Sequence, residues 1–249
     1  MQSLYRSLNK MKNGTLYGIG VGPGDPELLT LKAVKILIRI DVVFAASSTR
    51  NKHSLAVNIA SQHFKKDVPV VLLGFPMTLE KKELVSAWKK NAQQVIDVLK
   101  KGRDTAFLTL GDPMTYSTFG YLMRTIKEME PDIAVKIVPG ITSFQAGAAA
   151  AGHILAEAEE SFTVVSGALG AENLKQVIDH TDNVVILKVY RNYRGIMDTL
   201  DQLGLKGNAI LISRCGLEDE EIVHDLEQRP DTVPHYLSLL LINKKRQGG

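Results

Sequence analysis

Two glycine-rich turns hold most of the residues in this sequence whose types and spacing could do chemistry. The first lies in "YGIGVGPGDPELLTLKAVKIL", Tyr17 to Leu37, where Gly18, Gly20, Gly22 and Gly24 fall at alternate positions and Pro23 interrupts the run. A dinucleotide fingerprint spaces its glycines G-x-G-x-x-G and is followed by an acidic residue at a strand end. That spacing is absent here, and no phosphate-binding lysine follows in the P-loop pattern. Glycine lets the backbone approach a ligand or another segment closely. Proline fixes the loop and offers no N–H to a phosphate. Such a loop suits a ligand without a pyrophosphate, or a tight turn.

The second turn is "FLTLGDPMTYST", Phe107 to Thr118. It repeats the Gly-Asp-Pro sequence of Gly24-Asp25-Pro26 at Gly111-Asp112-Pro113. Two such turns at the carboxyl ends of strands in an open α/β sheet would line one crevice. The Asp112 carboxylate can accept hydrogen bonds from a ribose or an ammonium group, or cap the following helix. Hydroxyls of Thr115, Ser117 and Thr118 add directional contacts. The six histidines show no paired metal-ligand spacing, and the single cysteine, Cys215, excludes an internal disulfide and a cysteine-cluster metal site. No metal site is expected.

Elements that would position these turns can be read from hydrophobic period. Residues 15–22 read as a first strand. "ELLTLKAVKILIRI" carries a wide apolar helical stripe, capped by Asp25 or Thr30 with Pro26 in the first turn. "DVVFAA" and "PVVLLGF" are short buried strands, and "TLEKKELVSAWKKNAQQVIDVLKKG" is a long amphipathic helix stopped by Gly102. A strand, turn and helix follow, then the strand "AVKIVPG". This alternation predicts a parallel, helix-covered sheet. After "VPGITSFQAGAAAAGH" the strands are "SFTVVSG", "NVVILKVY", "NAILISRC" and "HYLSLLLI". Glu220–Leu226 reads as one more, which makes the second sheet mixed. We expect a tail over 1–13, an α/β domain over 14–139 and a second over 140–249.

Composition sets outer bounds. The chain has 249 residues, 45% of them hydrophobic, with a net charge of only +3. Charge interrupts every apolar run before about 18 residues, so no membrane span is expected. The start, "MQSLYRSLNKMKNG", lacks the apolar core of a secretion signal. One cysteine fits a reducing cytoplasm. The low charge argues against nucleic acid as partner, and the basic cluster "NKKRQGG" reads as a solvated tail.

Taken in order, "GIGVGPGDPELLTLKA", "LGDPMTYST" and "VPGITSFQAGAAAAG" resemble the tetrapyrrole (corrin/porphyrin) S-adenosylmethionine methyltransferases, over about residues 14–245. "GFPMT", "LKVYRN" and "SRCGLEDEEIV" are most similar to the branch that methylates C-20 of precorrin-2, or of its cobalt complex, cobalt-factor II, in cobalamin biosynthesis. The resemblance implies two α/β domains with S-adenosylmethionine in the cleft between them, S-adenosylhomocysteine as product, and a homodimer. Carried over by position, the cofactor contacts are Pro23, Leu110, Gly111, Asp112, Ser117, Thr118, Thr142, Ser143, Val189 and Ile210. Val189 stands where the family often has methionine.

A substrate with several carboxylates calls for cations. Arg50, His53, Lys188, Arg191 and Arg194 are the candidates, with Tyr116 and Tyr190 to stack on or hydrogen-bond the macrocycle. Solvated-loop roles for Arg50, Arg191 and Arg194, and a structural role for His53, stay open beside these. So do other functions. A relative acting on another tetrapyrrole, ribosomal RNA or a protein is one; a nicotinamide oxidoreductase and a tetrapyrrole carrier are others. No residue is singled out as a catalytic base, because the carbon nucleophile of a reduced tetrapyrrole is already electron-rich.

Overall fold

The computed structural model describes residues 12–47, 54–76, 78, 80–227, 229 and 232–244. By contacts these divide into two compact units. One comprises the chain up to Gly22 with Pro26–Thr142; the other comprises Pro23–Asp25 with the chain from Ser143 onward.

The first unit is a parallel sheet of β1 (Leu16–Gly20), β2 (Val42–Ser47), β3 (Val70–Gly74), β4 (Thr105–Thr109) and β5 (Val135–Val138). Its order is β3-β2-β4-β1-β5. Helices α1 (Leu31–Leu37), α2 (Leu55–Ala60), α3 (Lys81–Leu99) and α4 (Phe119–Met129) cover it. Side chains alternate between faces along each strand. Tyr17, Ile19, Val43, Ala45, Ala106 and Leu108 meet α1 and α2 on one face. Leu16, Val42, Phe44 and Phe107 meet α3 and α4 on the other. Burial on both faces is what makes these strands read as continuous apolar runs.

Thr30, not Asp25, caps α1: its hydroxyl accepts from the Ala33 N–H at 3.2 Å. The helix is shorter than its apolar stripe, because Pro26–Leu28 forms a separate 3-10 turn. Helix α3 buries Ala92, Val95, Ile96 and Leu99. Gly102, at φ +75°, takes the left-handed conformation that follows its end.

The second unit contains α5 (Ser143–Ala150), β6 (Phe162–Ser166), α6 (Glu172–Val177), β7 (Asn183–Leu187), α7 (Tyr193–Gln202), β8 (Ala209–Ser213), β9 (Glu221–Val223) and β10 (Ser238–Asn243). The sheet order is β6-β7-β10-β8-β9. Strands β6 and β7 run parallel, whereas β10 is antiparallel to both β7 and β8, and β9 is antiparallel to β8. The sheet is mixed, as the extra strand near Glu220–Leu226 implied. Val184, Ile186, Leu211, Leu240 and Ile242 pack with α6 and α7 on one face. Val185, Ile212, Leu239 and Leu241 pack with Phe144 and Ala148 of α5 on the other. No described helix is long and apolar enough to cross a membrane.

Candidate functional site

In the first unit the carboxyl ends of β4, β1 and β5 lie side by side, so the loops that leave them are neighbours. Glycine makes that closeness possible. A Cβ on Gly20 would lie 2.4 Å from the Gly111 carbonyl oxygen, and one on Gly140 would lie 2.2 Å from the same atom. The three loops therefore touch backbone to backbone. Gly111, at φ +64°, pairs with Gly22, at φ +80°: the Gly111 N–H donates to the Gly22 carbonyl at 2.8 Å. Both backbones sit in the left-handed region that favours glycine. Close approach at Gly20 and Gly140 is thus between chain segments rather than toward a ligand.

Asp112 fastens this arrangement. One carboxylate oxygen accepts from the Met114 N–H at 2.8 Å, and the other accepts from the Gly140 N–H at 3.1 Å. The first bond closes an Asx turn; the second ties the β4 loop to the β5 loop. Asp112 does not cap α4. Ser117, the residue before the Thr118 N-cap, closes a turn of its own: its hydroxyl accepts from the Phe119 N–H at 3.1 Å and shares a hydrogen bond with the Thr109 hydroxyl at 2.9 Å. Thr118 is half-buried and gives no side-chain cap. Leu110 packs partly against the core face that carries Ile19 and Leu108. Thr142 is buried and Ser143, the first residue of α5, is half-buried. Tyr116 is 53% exposed at φ +51°. A bulky residue in that conformation is strained.

Pro23 is buried, and Gly24 packs on the turn after β8, where its Cβ would lie 2.5 Å from the Cys215 carbonyl oxygen. Gly216, at φ +74°, returns the contact to the Asp25 backbone. Cys215 is buried within this turn. Burial, and after it the Glu220 carboxylate, pushes its thiol up to about 12. The thiol should therefore resist a thiol-specific disulfide reagent at mildly alkaline pH in the native chain and react on unfolding. Rapid labelling of the native chain would contradict its burial.

Elsewhere in the second unit, Lys188 ends the run out of β7 at φ +59° with its side chain exposed. It is followed by a 3-10 turn, Val189–Asn192. Val189 is 0% exposed and belongs to the core with Ile186, Tyr193 and Leu240. Its side chain is committed to that core. Ile210 is half-buried on the opposite face of the sheet. Arg191 is exposed; its Nε donates to the Tyr190 hydroxyl at 3.1 Å, and its guanidinium lies 5.9 Å from that ring's centre. Arg194 is exposed in the first turn of α7. Arg50 and His53 lie outside the described residues, as does Met77 of "GFPMT".

The structure thus gathers Gly22, Gly111, Asp112 and Gly140 in the first unit, and Lys188, Tyr190 and Arg191 in the second. It adds residues that sequence reading passed over. Tyr236 meets Tyr190 edge-on at 6.4 Å, and His235 packs on Tyr236 at 4.5 Å. Arg214, at φ +55°, places a guanidinium nitrogen 3.4 Å from His235 Nε2 and pairs with Asp219. The arginine in "SRCG" was the available signal, since it directly follows a buried strand.

With this geometry described, comparison with known proteins is decisive on family. The profile of the tetrapyrrole (corrin/porphyrin) methylases matches residues 15–230. The chain belongs to that family. Among its relatives is the cobalt-precorrin-2 C(20)-methyltransferase of Salmonella typhimurium, 33% identical over 94% of this chain and 98% of that protein. The precorrin-2 C(20)-methyltransferase of a Sinorhizobium species is 31% identical over 92% of this chain and 95% of its own. A uroporphyrin-III C-methyltransferase from Thermus thermophilus, solved with S-adenosylhomocysteine, shares the fold. It has a TM-score of 0.62 at 22% identity, covering 93% of this chain and 98% of that one. As a tetrapyrrole methylase, the chain packs the family motifs "LGDP" and "VPG" of its first unit on one another.

Proposed function

We propose that this tetrapyrrole methylase is an S-adenosylmethionine-dependent C-methyltransferase acting at C-20 of precorrin-2 or of its cobalt complex, cobalt-factor II, in cobalamin biosynthesis. The observation that carries the reading is near-full-length similarity to two proteins bearing that activity in their names, at 33% and 31% identity.

The residues of these loops fit a sulfonium nucleoside better than a nucleotide phosphate. Asp112 brings an anion to the loop, and a carboxylate that accepts two backbone N–H groups still has lone pairs for an ammonium or a ribose hydroxyl. Among the described residues the loops hold no lysine in the P-loop position, and Pro23 removes a donor. S-adenosylmethionine supplies an electrophilic methyl group on a positively charged sulfur. The chain's own task is to hold both reactants in line and to exclude water. The reduced macrocycle already provides an electron-rich carbon, so no side chain is assigned the role of base.

In this reading Leu110, Gly111, Asp112, Ser117, Thr118, Thr142 and Ser143 contact the cofactor. Pro23 and Ile210 remain cofactor positions by family register. Lys188, Arg191 and Arg194, with Arg50 and His53, meet substrate carboxylates. The enzyme works in the cytoplasm as a homodimer, which sedimentation of the purified chain would test.

The test of function is turnover with radiolabelled S-adenosylmethionine under nitrogen, with precorrin-2 and cobalt-factor II offered side by side. Methyl transfer to C-20 of either is the expected result, and the preferred one names the substrate. Tight S-adenosylhomocysteine binding without transfer to either would overturn the C-20 assignment.

A further inference from the structure

Strand β10 lies between β7 and β8 and runs against both, so the residues just before it share a sheet edge with those just after its neighbours. Leu239 stands opposite Leu187, and Ser238 opposite Ser213. That edge gathers Arg191, Tyr190, Tyr236, His235 and Arg214. Tyr236 is 56% exposed although it touches rings on both sides.

His235 is where this edge is chemically incomplete. Its Nδ1 faces the Leu237 N–H at 3.1 Å, and its Nε2 faces the Arg214 Nη1 at 3.4 Å. Both neighbours are donors. Neutral imidazole has one acceptor nitrogen and protonated imidazole has none, so the ring cannot satisfy both. The backbone N–H is fixed, which assigns Nδ1 as the acceptor and places the ring proton on Nε2. Burial and the Arg214 charge both lower the His235 pKa, which favours this neutral form. Nε2–H and Nη1–H are then two donors converging with no acceptor between them among the described residues. A single oxygen at about 2.8 Å from each would satisfy both.

We propose that Arg214 Nη1–H and His235 Nε2–H together bind a carboxylate oxygen of the substrate, with Tyr236 and Tyr190 flanking the acidic arm that bears it. This rests on the tetrapyrrole-substrate reading above and adds a specificity site to it. The guanidinium is oriented by its pair with Asp219, and the imidazole by Leu237.

The variant His235→Asn tests it. Asparagine can accept from an N–H two residues on, so the Leu237 bond is kept while the Nε2 donor is lost. Cobalt-factor II and S-adenosylhomocysteine are titrated separately into wild type and variant. Loss of one charge-assisted arrangement should raise the tetrapyrrole Kd by about tenfold, with S-adenosylhomocysteine binding unchanged. Nitrogen NMR of wild-type His235 should show the Nε2-protonated neutral ring at neutral pH. An unchanged tetrapyrrole Kd in the variant, or an Nδ1-protonated ring, would overturn the site alone. A wild-type chain that binds S-adenosylhomocysteine but no tetrapyrrole would overturn the substrate reading and the site with it.

Discussion

Gly140→Ala is expected to be among the most damaging single-methyl additions to this chain. The new Cβ would lie 2.2 Å from the Gly111 carbonyl oxygen and 2.7–2.8 Å from the backbone of Gly20. All of these are main-chain atoms, so no side chain can swing aside. We expect destabilisation of about 3 kcal/mol and a melting temperature lowered by about 10 °C. S-adenosylhomocysteine binding should fall as well, because the β1, β4 and β5 loops cannot keep their present spacing. Gly74→Ala is the control: nothing lies within 4 Å of its added methyl. That variant should match wild type within about 0.5 kcal/mol. Equal calorimetric melting temperatures for the two variants would refute the backbone contact.

Asp112→Ala is expected to cost about a hundredfold in S-adenosylhomocysteine affinity, or roughly 2.7 kcal/mol, with the far-ultraviolet circular dichroism unchanged. Two effects add. The carboxylate that the proposal sets against the cofactor is lost. The Gly140 and Met114 N–H groups also lose their acceptors, which frees the β4 loop from the β5 loop. Asp112→Asn retains one acceptor oxygen and should lose less, about tenfold. Titration calorimetry separates these outcomes. Full affinity in the alanine variant would remove Asp112 from the site.

The first sheet was legible in the sequence because burial on both faces leaves unbroken apolar strands such as "DVVFAA", each followed by a periodic helix. Its order was not. No local signal says that β4 inserts between β1 and β2, since parallel neighbours pair without a connecting turn. The start of α1 was misplaced because Leu28 and Leu29 continue the helical stripe, while the Thr30 cap begins the helix after them. The glycine positions were visible, but not the direction in which each backbone presses. Whether Gly20 meets a ligand or Gly111 depends on three strand ends arriving together.

Val189 shows a similar limit. An apolar residue after a strand reads as a core position or a binding position alike, and only the fold shows that α6 and α7 enclose its side chain. His235 and Tyr236 carried no motif at all. Their role emerges only when β10, more than forty residues after β7, settles beside it.

That same strand governs the order in which the second unit can be completed during synthesis. The β6–β7 pair and the β8–β9 hairpin emerge from the ribosome first, each with an open edge and half of a core. Neither can join the other until Ser238–Asn243 has been made and slots between them. Nascent chains should therefore pass through a stage in which two apolar sheet edges await a partner, the kind of surface that chaperones hold and that aggregates. A stop codon just before residue 238 would leave both halves permanently in that state.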